Sequence, residues 1–250
     1  MDKKIITLGF VLASCIGGSL FAQQNPDGKV AVTNMTEPFL FLVRDAYVHE
    51  LLDLSKKQTQ KLQSLNDKAD PKIWSSRNKP AKEAAQTTAK LISISRREIA
   101  KILDAQQRER LLQIEMWTQG VRSLLREDVV ARLQLTKSQV REIQDILTSA
   151  LAEKTDLQEQ LQDGGDAQKL NRQFAEVQVR EQEQILQILQ RSQQQQWVAM
   201  LGPRIDLKRL GRVKFKAPDF SKSGNWVNSP ALTLDKLKGK VVALHFYAFA

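Results

Sequence analysis

Leu42-Val43-Arg44-Asp45, followed by Leu52-Asp53-Leu54-Ser55-Lys56-Lys57-Gln58, is matched further along by Leu124-Leu125-Arg126-Glu127, followed by Leu133-Gln134-Leu135-Thr136-Lys137-Ser138-Gln139. The copies lie 81 or 82 residues apart. A later pair, Ile102-Leu103-Asp104-Ala105-Gln106-Gln107 and Ile188-Leu189-Gln190-Arg191-Ser192-Gln193, lies 86 residues apart. The order of elements is the same in both stretches, so the chain reads as a duplication.

The repeated residues have a local meaning. Ser55 and Thr136 can each accept a hydrogen bond from the backbone N–H three residues on, and Gln58 and Gln139 can reach back to the cap's own N–H. That reciprocal pair is a capping box, the start of a helix. Asp104 with Gln107 fits the same form, and Leu135 with Val140 fits a hydrophobic staple. Val140, Ile143, Leu147, Ala150, Leu151, Leu157 and Leu161 then recur at helical spacing. Asp163-Gly164-Gly165-Asp166 is a turn, and Phe174, Val177, Ile185, Ile188 and Leu189 mark a returning helix. In the first copy, Pro71 and Pro80 bracket a predicted loop containing Trp74. Gly120 joins the halves and Gly202-Pro203 ends the second. Neither half can bury its apolar stripe alone, so the two are expected to pack as one bundle. Trp117 and Trp197 read as core anchors.

Aromatics make up 6% of the residues, too few for a large β-rich core over most of the length. The formal charge is +10, but the basic residues alternate with acids along the helical stretches, as on a solvated surface. The densest basic run is Arg204 to Lys222, which reads as a connector. One Cys and two His exclude an internal disulfide and a Cys/His zinc cluster. His49 beside Glu50 makes no catalytic pair, because sequence neighbours do not face each other on a helix.

Lys3 and Lys4, the apolar Ile5 to Leu12, and Leu20-Phe21-Ala22 before Gln23 form a secretory signal with cleavage after Ala22. Leu12-Ala13-Ser14-Cys15 resembles a bacterial lipobox, which would lipidate Cys15 and tie the chain to a membrane. Both readings place the mature chain outside the cytoplasm, in the periplasm or cell envelope. Export counts against nucleic-acid binding.

After Gly202 the composition changes. Ala217-Pro218-Asp219-Phe220 is followed by Trp226-Val227-Asn228-Ser229-Pro230 and by Leu237-Lys238-Gly239-Lys240. Val241 to Phe249, including His245, Phe246 and Tyr247, is a β-prone run of the kind that forms a buried central strand. This segment resembles the start of the TlpA/ResA-like and AhpC/TSA-type redoxins of the thioredoxin-like class, through Ala217, Pro218, Phe220, Trp226, Asn228, Gly239, Phe246 and Tyr247. Tyr247 stands where those proteins often carry Trp. The Leu-Ser/Thr-x-x-Gln signature is similar to the LTxxQ motif of Spy-type periplasmic chaperones, although a capping box alone accounts for it.

The redoxin resemblance implies a Cys-x-x-Cys at a helix start directly after the strand, where the helix N-terminus lowers the first thiol's pKa. Strand alignment puts that nucleophile directly after Ala250, so the 250 residues should be inactive by themselves. Three accounts fit: a fragment, a truncating stop, or a selenocysteine codon, UGA, taken for a stop.

The expected organisation is a signal peptide at 1–22, a flexible lead at 23–40 and a duplicated helical domain at 41–206, with repeats 41–120 and 121–206. A basic connector at 207–216 and the start of a redoxin domain at 217–250 complete it. The expected fold is mainly α, a duplicated helical-hairpin bundle followed by the incomplete start of an α/β thioredoxin-like fold. The expected function is an exported thiol–disulfide oxidoreductase or antioxidant redoxin acting on a protein thiol, disulfide or peroxide without a cofactor. Its helices would serve for docking or homodimerisation. The alternative is a helical periplasmic binding or chaperone-like protein with a vestigial redoxin segment.

Overall fold

The structure, a computed structural model, describes residues 37–76, 79–213, 215, 219–220 and 226–243. The first half holds α1 (Phe39–Leu42), α2 (Ala46–Leu51), α3 (Lys56–Ser76), α4 (Ala81–Ala100) and α5 (Ala105–Gln119). A six-residue 3-10 helix, Gly120–Leu125, opens the second half. It is followed by α6 (Glu127–Leu133), α7 (Lys137–Gln162), α8 (Ala167–Ile188) and α9 (Arg191–Leu201). The described part is mainly helical, as the sequence predicts. Among the described residues there are no strands, and the only regular element of 226–243 is a 3-10 turn at Leu234–Leu237.

The helix starts follow the predicted chemistry. Gln58 N–H donates to Ser55 Oγ at 3.3 Å and Ser55 N–H to Gln58 Oε1 at 3.0 Å. Asp104 with Gln107 and Thr136 with Gln139 close complete capping boxes. Gln190 with Gln193 forms a fourth. An N-cap side chain contributes about 1 kcal/mol. Both halves also end alike. Gly120 caps α5 at φ 58°, ψ −135°, and Gly202 caps α9 at φ 62°, ψ −158°. A side chain is strained in that region of backbone space, so a glycine stands at each exit.

The hairpins α3–α4 and α7–α8 flank a centre where α5 lies against α9, α2 and the 3-10 helix. One continuous core draws on both halves, with Ile114, Leu124, Val129, Ile143 and Ile185 fully buried. The expected joint packing of the halves is therefore observed. A separate small core of Ala150, Leu157, Leu170, Phe174 and Val177, with Leu161 beside it, runs out along α7 and α8 toward the Gly164-Gly165 turn.

Two local expectations are corrected. The loop expected between Pro71 and Pro80 begins later, because α3 continues through Pro71 to Ser76 and carries Trp74 on the helix. Ile73, Asp70 and Ser76 are buried around the proline, and this packing outweighs the missing N–H. The lead expected at 23–40 overlaps α1, where Phe39 and Leu40 are buried. The stretch expected as a connector runs over the helices: Leu210, like Ile205 just before it, joins the main core, and Val213 and Phe215 lie against it.

Pro71 itself is exposed. Pro71→Ala should restore a main-chain bond within α3 and recover part of the ~3 kcal/mol that an interior proline costs. The expected gain is about 1–2 kcal/mol, read as a higher midpoint in thermal unfolding. An unchanged or lower midpoint would mean that packing around Asp70 and Ile73 needs the proline's bend.

Candidate functional site

The two copies of the repeated motif build the same buckle. In the first half, Gln58 Nε2 donates to Gln107 Oε1 at 2.7 Å and to the Ile102 carbonyl at 3.0 Å, while Gln107 Nε2 donates to the Leu52 carbonyl at 3.1 Å. In the second, Gln139 Nε2 donates to Gln193 Oε1 at 2.8 Å and to the Ile188 carbonyl at 3.0 Å, while Gln193 Nε2 donates to the Leu133 carbonyl at 3.2 Å. Each glutamine therefore closes its own capping box and also ties two helix starts together. A buried carbonyl left unpaired is costly, which gives the amides a structural task without any ligand.

Between the halves sits a charge cluster. Glu115 on α5 is 0% exposed. Arg96 on α4 grips it with two bonds, Nη1 to Oε1 at 2.9 Å and Nη2 to Oε2 at 2.8 Å. Arg126, just before α6, adds a third to Oε2 at 3.1 Å. Arg96 also pairs with Glu37 at 2.8 Å and lies over the Phe39 ring at 4.1 Å. Burial would lower the pKa of Arg96, but the hydrogen bond and charge of Glu115, joined by those of Glu37, raise it. In the other copy, Arg44 at the position matching Arg126 pairs with Asp70 at 2.7 Å and donates to the Leu40 carbonyl. Burial pulls the Arg44 guanidinium below its ordinary pKa, with Asp70 opposing the shift.

The chain after α9 returns to this first pair. Asp206 N–H donates to Tyr47 Oη at 3.1 Å. Arg209 pairs with Glu50 at 2.6 Å and lies over the Tyr47 ring at 3.9 Å. Gly211 N–H donates to Asp45 Oδ2 at 2.6 Å, while Asp45 Oδ1 caps α2. Phe215 meets Phe41 and Trp74 edge to face, at ring distances of 5.7 and 6.2 Å, and lies 4.7 Å from the Arg44 guanidinium.

Of the redoxin-motif residues, Phe220 and Trp226 come together edge to face at 5.9 Å. Asp219 Oδ1 accepts from Phe220 N–H at 3.0 Å and from Leu234 N–H at 2.8 Å, which folds the segment back on itself. Asn228 and Gly239 both take positive φ. Cys15, Ala217, Pro218, His245, Phe246 and Tyr247 lie outside the described residues, and of the expected strand only 241–243 is described, with Val241 and Val242 exposed.

His49 is taken up by a 3.0 Å contact between Nε2 and the Val43 carbonyl, in line with a structural role. Trp197 is a core anchor, its Nε1 donating to Ser123 Oγ at 3.0 Å; Trp117 is buried too, and its Nε1 has no partner among the described residues.

Sequence reasoning missed Glu115, Arg96 and the seat of Phe215. For Arg96 the repeat carries no signal, but it does mark its neighbour Arg126, since Arg44 and Arg126 occupy the same place in the two copies and both end in ion pairs. Among the described residues, no group of three or more His, Cys, Asp or Glu could hold a metal ion, and no helix is long and apolar enough to cross a membrane. No protein-family model, no curated protein and no solved structure matches the chain.

Proposed function

We propose that this chain belongs to an exported thiol–disulfide oxidoreductase of the thioredoxin-like class, with its helical part as the module that carries the redox domain. The observation that supports this most is the ordered series from Ala217 through Trp226 and Asn228 to Gly239 and the β-prone run beyond. The seating of the chain up to Phe215, two residues before Ala217, agrees with a domain beginning there. Among the described residues of the helical part there is no Cys, and His49 is engaged with a main-chain carbonyl. Redox chemistry would belong to a Cys-x-x-Cys, or its selenocysteine counterpart, in the position following the strand. The helical-chaperone reading rests on the Leu-Ser/Thr-x-x-Gln motif, but the buckles already employ all four glutamine side chains.

The test is the gene sequence beyond the Ala250 codon, with an insulin-disulfide reduction assay on whatever product it encodes. A Cys or UGA codon, then two codons, then Cys, together with thiol-dependent reduction, is the expected result. A frame lacking that pair would sink the oxidoreductase reading and favour a binding role for the helices.

A further inference from the structure

We propose that residues 203–215 are a latch that sets how far the segment beginning at Ala217 can reach from the helical module. The inference needs only that a segment starts there, not that it is a redoxin. Three clasps hold the latch, each joining positions far apart in sequence. The first is the Tyr47 corner, where the phenol oxygen takes the Asp206 N–H and the ring carries Arg209, itself paired with Glu50. The second is the Gly211 N–H on the buried Asp45 carboxylate. The third is Phe215 among Phe41, Trp74 and Arg44. Ile205 and Leu210 are buried beneath the run.

The inner part of the latch, Ile205, Leu210 and the Asp45 clasp, belongs to the buried core, and its outer contacts are weaker. The Arg209–Glu50 pair is exposed, and the Tyr47 clasp is a single hydrogen bond plus one stacked cation. Closed, the latch leaves one residue between its last clasp and Ala217. Open, it adds a leash of 13 residues counted from Pro203 to Phe215, which extends to at most about 45 Å. Docked, the chain leaves the helical module at Phe215, against Phe41 of α1 and Trp74 of α3; released, it would leave at Pro203 and sample a wide volume. A redox domain on such a leash could meet partners that the docked state does not reach.

The test places spin labels at Ser93→Cys on α4 and Arg212→Cys in the latch, both exposed positions, in the full chain carrying Cys15→Ser. One narrow distance distribution is expected. Adding Tyr47→Phe and Phe215→Ala should broaden it toward longer distances, and hydrogen exchange at the Gly211 amide should speed up at least tenfold. Exchange within α5 and α9 should stay unchanged, which separates an open latch from a failure to fold. Arg209→Ala, at the exposed clasp, should give a smaller shift in the same direction. A broad distribution in the parent chain, or the same narrow one in all variants with α5 and α9 intact, would overturn the proposal. If Tyr47→Phe with Phe215→Ala unfolds α5 and α9, Arg209→Ala alone decides, and no change in it counts against the latch.

Discussion

Glu115→Ala is expected to cost about 3–5 kcal/mol of unfolding free energy, the usual penalty for breaking a buried ion pair by removing one partner. For a helical part of this size that corresponds to a midpoint lower by about 6–20 °C. The reason lies in the asymmetry of the cluster. Glu115 is 0% exposed and holds three hydrogen bonds from two arginines. Arg96 keeps Glu37, and Arg126 keeps Asp128 at 3.0 Å. Removing the carboxylate thus takes the shared counter-charge from two part-buried cations and opens a hole at the junction of the halves. Glu115→Gln preserves the shape and one acceptor oxygen, so its loss should be about half as large. Equal losses in the two variants would assign the effect to charge alone, and a loss below about 1 kcal/mol in both would show that the arginines rehydrate freely. Urea unfolding followed by circular dichroism measures all of these outcomes.

The second large effect is expected at the buckle of the second half. Gln193 is buried and uses both ends of its amide: Oε1 accepts from Gln190 N–H at 2.9 Å and from Gln139, and Nε2 donates to the Leu133 carbonyl. Gln193→Ala strands those groups and should cost about 2–4 kcal/mol, the sum of a lost cap and at least one unpaired buried group. Gln107→Ala, at the matching but half-exposed position, should cost about 1–2 kcal/mol, because water reaches its partners. A double-mutant cycle between Gln139 and Gln193 should return a coupling of about 1 kcal/mol or more. Additive losses would mean that the two capping boxes act independently and that the bond between them contributes nothing.

Much of this architecture can be read from local chemistry. Ser55, Asp104 and Thr136 announce their helices because a cap and the glutamine three residues later act within one turn. The stripe from Val140 to Leu161 is clear because one face of α7 meets one face of α8. Periodicity fails where a helix is covered all round. Every residue from Ile114 to Gln119 is buried, so the end of α5 has no exposed side against which Glu115 would stand out as inward. Pro71 misleads for a related reason: the rule against interior proline is local, whereas Ile73 and Asp70 are held by groups far away in sequence. In the connector the charges outnumber Ile205, Leu210, Val213 and Phe215, and sequence alone does not show that those four pack on the core. The redoxin resemblance is carried by residue identities in order and not by packing, and the described residues of 219–243 add one aromatic pair and a set of turns to it.

The small core shared by α7 and α8 near their turn has a consequence for divergence. Beyond Ala150 and Val177 these helices pack on each other, and the main core does not extend there. Matched stretches of about seven residues, two helical turns, could be deleted from or inserted into both together while the buckles and the Glu115 cluster kept their neighbours. Length in that arm is then less constrained by the rest of the fold than length in α5, which is hemmed in by both repeats.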